Sequence, residues 1–151
     1  MVISFFGHRD FVATVNFENK ILSFLEKNIG DKVALAYLGR EGRFDDFAYN
    51  CCKKYSSKHP NLSLIYVTPY MTLEYQKKYL NDYVKQYDGI IYPNIEDKPM
   101  RFAITYRNRF MIEKSDFVIV YVEHSWGGAY SAYKYALKKG KQIYNLANFQ
   151  E

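Results

Sequence analysis

Short apolar runs punctuate the chain at Val2–Phe6, Val33–Leu38, Leu62–Val67, Gly89–Tyr92, Phe117–Val122 and Gln142–Leu146. Each is rich in β-branched and aromatic residues, too short for a helix and too uniformly apolar for a strand wetted on one face. The pattern predicts buried strands of a sheet covered on both sides. Helical periodicity fills the gaps. Phe17, Ile21, Phe24 and Leu25 form one apolar stripe, with Asn16 as its expected N-cap. Phe44, Phe47, Ala48, Cys51 and Tyr55 form a second, and Tyr79, Leu80, Tyr83, Val84 and Tyr87 a third. Ala103, Tyr106, Phe110 and Met111 form a fourth. Ala129, Ala132, Tyr133, Ala136 and Leu137 match the helical repeat best, and that helix is predicted to stop at Lys139–Gly140. Glycine suits the left-handed position past a helix end, and Lys138 and Lys139 suit its negative pole.

Alternating strand and helix is the signature of parallel βαβ units. Right-handed crossovers then predict a doubly wound α/β fold, a mainly parallel Rossmann-like sheet flanked by helices. No internal repeat, low-complexity tract or flexible linker interrupts it, so residues 1–151 read as a single domain. In such sheets ligands bind outside the carboxyl ends of the strands.

Composition narrows the classes. Hydrophobic residues make up 48% of the 151 and charged residues 25%, ordinary globular values that argue against disorder. No apolar run approaches the ~18–20 residues that span a bilayer. The opening MVISFFGHRD lacks the basic start of a signal peptide, and a cytoplasmic protein is expected. The two cysteines, Cys51 and Cys52, are adjacent on a helical stripe, which excludes a disulfide scaffold and points to packing. No metal site is expected, because His8 and His124 lack a third ligand at suitable spacing. The net charge of +5 invites a nucleic-acid partner, yet the lysines are scattered with no contiguous basic tract.

The residues leaving the strands carry the candidate chemistry. Gly7-His8-Arg9-Asp10 follows the first strand, and Gly39-Arg40-Glu41-Gly42-Arg43-Phe44-Asp45-Asp46 follows the second. Glu123-His124-Ser125-Trp126-Gly127-Gly128-Ala129 follows the fifth and opens a helix. Glycines there let backbone approach a ligand, and a helix N-terminus offers free N–H groups to an anion. Arg9, Arg40 and Arg43 lie in these loops, while Arg101, Arg107 and Arg109 lie on or just before the fourth helix. Arginine suits fork-like binding of phosphate. Glu41, Asp45 and Asp46 have a plainer reading as acids in the first turn of a helix.

The motifs resemble those of one group. Phe6-Gly7-His8-Arg9 is similar to the strand-ending G-H-R of YpsA/YoqJ-type proteins in the SLOG superfamily. Arg107-Asn108-Arg109 through Lys114-Ser115-Asp116 resembles that group's arginine-bearing helix and the Ser/Ala-Asp pair entering a strand. Gly127-Gly128-Ala129, followed by Tyr133-Lys134-Tyr135-Ala136 and Gly140-Lys141, resembles its GGT/GGA segment and the following helix. The resemblance covers most of the chain and implies a Rossmannoid domain that binds nucleotides or NAD-derived ligands. Its relatives include LOG-type phosphoribohydrolases, DNA-processing proteins and sensor domains of bacterial and phage-defence systems. One departure bears on catalysis. In P-G-G-x-G-T-x-x-E of the phosphoribohydrolases the glutamate acts on the N-glycosidic bond, and here Lys134 holds its place. An ammonium does not do a carboxylate's work.

The expected function is therefore binding or sensing of a nucleotide or NAD/ADP-ribose-derived ligand, without a required cofactor. Gly7, His8, Gly39, Gly127, Gly128 and Ala129 would cradle phosphate, with Arg9, Arg43 and Arg107 neutralising it. Phe44 or Trp126 would contact the base or ribose, with Asp45 and Ser125 beside them. On this reading Arg107→Ala weakens binding and spares the fold. The alternative is an N-glycoside hydrolase or transferase using Glu41, Asp45 or Glu123. A nucleic-acid-associated protein is the third reading. A homo-oligomer, formed through the tyrosine-rich segment 71–87, is also expected.

Overall fold

The computed structural model describes residues 1–150 and places β1 (Val2–Gly7) inside a parallel sheet. The chain proceeds through α1 (Val15–Ile29), β2 (Ala34–Leu38), α2 (Arg43–Ser56) and β3 (Leu62–Val67). It then reaches β4 (Gly89–Ile91) by a helical segment in three pieces. These are α3 (Leu73–Tyr75), a π-helical turn (Gln76–Leu80) and α4 (Asn81–Tyr83). A 3₁₀ turn at Met100–Phe102 leads into α5 (Ala103–Lys114), followed by β5 (Phe117–Tyr121), α6 (Gly128–Lys138) and β6 (Gln142–Asn145). The six strands lie in the order β4-β3-β2-β1-β5-β6, and every neighbouring pair is parallel.

This order has a consequence for function. The chain moves outward from β1 to β4, then returns through α5 to β5 on the other side of β1. The loops after β1 and β5 therefore diverge to opposite faces, which opens a crevice at their carboxyl ends. The two faces are covered separately. Ile21, Leu25, Ala48, Cys51, Leu80 and Tyr87 pack with Ile3, Phe5 and Leu64 on one face. Met111, Ile112, Ala132 and Ala136 pack with Phe6, Val67, Val118 and Val120 on the other. Double burial explains why the strands read as continuous apolar runs.

Three local expectations are corrected. Thr14, not Asn16, caps α1, its side chain accepting from the Phe17 N–H at 3.1 Å. Threonine precedes the first helical turn by the spacing a cap requires. The third stripe is interrupted by the π turn, leaving Tyr79 and Val84 exposed while Leu80 and Tyr87 are buried. On α5, the buried positions are Ala103, Arg107, Met111 and Ile112, so Phe110 packs only at the edge of the core and Tyr106 lies outside it. The end of α6 follows expectation, with Gly140 at φ +67°. Cys51 and Cys52 are buried free thiols, and burial raises both pKa values.

Candidate nucleotide-binding cleft

A cleft of about 310 Å³ occupies the crevice between the loops after β1, β2 and β5. It lies at the lower end of the size range of small-molecule sites. Gly7 brings the chain into it because the Phe44 ring lies directly beneath, where a Cβ on Gly7 would collide. The loops after β1 and β2 are locked together. The Arg43 N–H donates to the Arg9 carbonyl at 3.1 Å, and a Cβ on Gly42 would fall 2.7 Å from Arg9 Cα.

One wall is a stack of three rings. His8 and His124 lie face to face with centroids 3.6 Å apart, and His124 stacks on Trp126 at the same 3.6 Å. The Glu123 N–H donates to His8 Nε2 at 3.0 Å, so that nitrogen is unprotonated and the neutral ring carries its proton on Nδ1. Burial, followed by the neighbouring His124, holds the His8 pKa below its ordinary value. Trp126 is 66% exposed at the cleft mouth, an aromatic face open to a ligand.

The second wall is the start of α6. Gly127, at φ +92°, turns the chain into the helix, and no side chain caps it. A Cβ at Gly127 or Gly128 would meet nothing within 4 Å, so there is room beside the start of this eleven-residue helix, whose first N–H groups receive no side-chain cap. Arg9 is exposed and lines the same cleft. These groups form a pole of positive potential.

The floor is a buried cluster around Arg107, whose residue exposure is only 1%. Its Nη2 lies 2.7 Å from Glu41 Oε2, its Nη1 donates to the Val67 carbonyl, and its Nε donates to Asn108 Oδ1 at 2.9 Å. Glu41 Oε2 also accepts from the Arg40 N–H at 2.8 Å, while Asp45 Oδ2 accepts from the Glu41 N–H at 2.8 Å. Gly39 makes room for this convergence, since a Cβ there would fall 2.6 Å from Glu41 Oε2. Burial works to raise the Glu41 pKa, but the Arg107 charge and hydrogen bond win and hold it low. Burial and the Glu41 charge push Asp45 up to about 7. A carboxyl that retains its proton near neutrality can act as a general acid.

Most residues expected at the site converge here. Gly7, His8, Arg9, Gly39, Asp45, Arg107, Trp126, Gly127, Gly128 and Ala129 line the cleft, as does the candidate acid Glu41. Four others do not. Phe44 is fully buried beneath Gly7, so its ring cannot stack on a ligand. Arg43 and Ser125 are exposed but outside the lining, and Glu123 is held outside it by the Tyr121 hydroxyl at 3.1 Å. His124, Asn108, Ile104 and Met111 are cleft residues that sequence reasoning missed. The histidine had a signal, since it precedes the only tryptophan in a strand-exit loop.

Arg107 has a different standing from that expected. Its donors are directed to Glu41, Val67 and Asn108, so it organises the floor. Replacing it destabilises the fold, because the half-buried Glu41 carboxylate would lose its counter-charge and the Val67 carbonyl its donor. The position equivalent to the phosphoribohydrolase glutamate, Lys134, is exposed on α6 with its ammonium 5.9 Å from the Tyr130 ring. Among the described residues, no helix is long and apolar enough to cross a membrane, and no group of His, Cys, Asp and Glu is arranged to hold a metal ion.

No family model and no curated protein sequence matches the chain. Solved structures do resemble it. DNA processing protein A from Streptococcus pneumoniae superposes with a TM-score of 0.61 at 15% identity, covering 93% of this chain and 48% of that one. DNA processing protein A from Helicobacter pylori, whose structure concerns a single-stranded DNA binding mode, gives 0.63 at 20% identity. That match covers 98% of this chain and 66% of the other, so this chain spans about half to two thirds of these proteins' lengths. At such identities the likeness is one of fold. The chain shares the Rossmann-like α/β fold of these DNA processing protein A structures.

Proposed function

We propose that the cleft binds a nucleotide or nucleotide-derived ligand, with its phosphate against the start of α6 and its base or ribose against Trp126. The observation that carries this reading is the uncapped, glycine-opened N-terminus of α6 at the strand-order reversal. Helix N–H groups and the helix dipole favour an anion there. Arg9 adds an exposed cation, and the His8–His124–Trp126 stack adds an aromatic platform. The Glu41 and Asp45 carboxyl groups that line the floor suit a ligand with hydroxyl or amino donors at its other end.

A thermal-shift panel with AMP, ATP, NAD, ADP-ribose, cyclic ADP-ribose isomers and a short oligonucleotide tests it. A ligand at ~100 times its Kd adds about 2.7 kcal/mol and raises the midpoint by several degrees. A shift with one nucleotide class supports the reading, and silence with every nucleotide refutes it. The Glu41–Asp45 pair supports the alternative of N-glycoside hydrolysis or transfer, because Asp45 can hold a proton near neutral pH. Release of free base that Asp45→Asn abolishes would establish that reading; turnover unchanged by the substitution would exclude this pair.

The likeness to DNA processing protein A favours a further reading, in which the partner is single-stranded nucleic acid. It predicts oligonucleotide binding that weakens steeply with salt.

A further inference from the structure

The buried Arg107 determines which polar atoms the floor of the cleft presents. A guanidinium only donates, so the Asn108 atom 2.9 Å from Arg107 Nε is the amide oxygen, and Asn108 Nδ2 carries its two hydrogens elsewhere. Glu41 is engaged through one oxygen, since Oε2 receives both Arg107 Nη2 and the Arg40 N–H. Asp45 is engaged through Oδ2, which accepts from the Glu41 N–H. Apart from the interaction between the two carboxyl groups themselves, Glu41 Oε1, Asp45 Oδ1 and Asn108 Nδ2 have no hydrogen-bond partner among the described residues. The side-chain atoms buried without a partner are instead Tyr55 Oη and His124 Nδ1, so these three atoms reach solvent. All three residues line the cleft.

The floor therefore offers an acceptor on Glu41, a donor on Asn108 and, on Asp45, a carboxyl that accepts when ionised and donates when protonated. That set complements a pair of hydroxyls, each of which gives one hydrogen and accepts another. A phosphate fits it poorly, because it has only acceptors and negative charge to set against the two carboxyl groups. With phosphate at the start of α6 and the base on Trp126, the sugar between them is the unit still without a partner.

We infer that the floor reads the ribose hydroxyls of the ligand, Glu41 Oε1 accepting from the 2′-hydroxyl and Asn108 Nδ2 donating to it, so that the cleft selects ribonucleotides over 2′-deoxyribonucleotides. This rests on the nucleotide reading of the cleft and names the sugar that reading leaves open. The 2′-hydroxyl is the group by which a protein tells the two sugars apart. A deoxy ligand would cover the carboxylate and the amide without satisfying them, the circumstance in which a polar site discriminates most strongly.

The test is calorimetric titration of the full chain with AMP and with ADP-ribose, each beside the form that lacks the adenosine 2′-hydroxyl. The wild type should bind the ribose forms about tenfold or more tightly than the deoxy forms. Asn108→Asp keeps an oxygen to accept from Arg107 Nε and turns the free donor into an acceptor. In that variant the ratio of ribose to deoxy affinity should fall to about threefold or less, whatever happens to affinity as a whole. Equal binding of ribose and deoxy forms by the wild type overturns the inference and leaves the nucleotide reading standing. That comparison needs no variant, so it decides the matter even if Asn108→Asp fails to fold. A ratio that a folded Asn108→Asp retains also overturns it, by removing Asn108 from the sugar. No binding of any of the four ligands overturns the nucleotide reading and this inference together.

Discussion

Arg107 and Glu41 form an ion pair of 2.7 Å, the guanidinium buried and the carboxylate 21% exposed, that joins α5 on one face of the sheet to the loop after β2. Arg107 lies between Ala103 and Met111 on the buried side of α5, so its guanidinium passes through apolar packing to reach the cleft floor. Replacing Arg107 with Ala or Met leaves the Glu41 carboxylate without its counter-charge and the Val67 carbonyl without its donor. We expect a loss of about 3–5 kcal/mol, as for other broken buried pairs. Urea unfolding measures it, and a loss below ~1 kcal/mol would mean that water reaches the pair.

Asp45 gives the fold a defined pH dependence. Its folded pKa, about 7, lies above its ordinary 3.8, so the folded state holds the proton more tightly than the unfolded chain. Its contribution to stability is therefore fully present below about 4 and is lost as pH rises through about 7. Glu41 acts in the opposite sense, since its depressed pKa makes its contribution fall only in acid. Asp45→Asn should remove the decline between pH 5 and 7.5, because an amide oxygen still accepts from the Glu41 N–H. An unfolding midpoint with the same pH profile in wild type and variant would refute the assignment.

Gly7 should tolerate no side chain. The Phe44 ring beneath it is fully buried and cannot swing aside, so Gly7→Ala must displace either the ring or the end of β1. Overpacking of this kind costs about 1–3 kcal/mol. A melting temperature within a degree of wild type would show that the core yields more readily than this contact implies.

These residues also show how much was legible from sequence. The strands, their parallel arrangement and the carboxyl-edge cleft followed from apolar runs and alternation, because double burial leaves a plain mark. Which loop residues face the ligand did not follow. Phe44 sits in a loop-to-helix junction rich in glycine, yet it faces inward because Gly7 leaves a gap directly above it. Arg107 was misplaced because periodicity counts apolar residues, and the buried side of α5 includes a charged one. The spacing Ala103, Arg107, Met111 carries the true repeat, but a paired arginine cannot be told from an exposed one without its partner. Thr14 displaced Asn16 by a shift of two residues, the usual uncertainty of helix boundaries.

Trp126 provides an optical reporter as the chain's only tryptophan. Because it is 66% exposed and stacked on His124, Trp126→Ala should leave stability almost unchanged. Loss of a base-stacking ring should weaken nucleotide binding by about 1–3 kcal/mol. Saturating nucleotide that leaves the wild-type Trp126 emission unaltered would place the base elsewhere.

A phosphate bound at the start of α6 would be displaced by the carboxylate of Gly128→Asp. The position has room for a side chain, and an acid in the first helical turn is itself mildly stabilising. Calorimetric titration of wild type and Gly128→Asp with the nucleotide that gives the largest thermal shift is the measurement. Gly128→Asp should keep an intact fold and bind at least tenfold more weakly, because the new carboxylate occupies the anion's place. Equal affinity in the two proteins would contradict it and remove the helix terminus from the site.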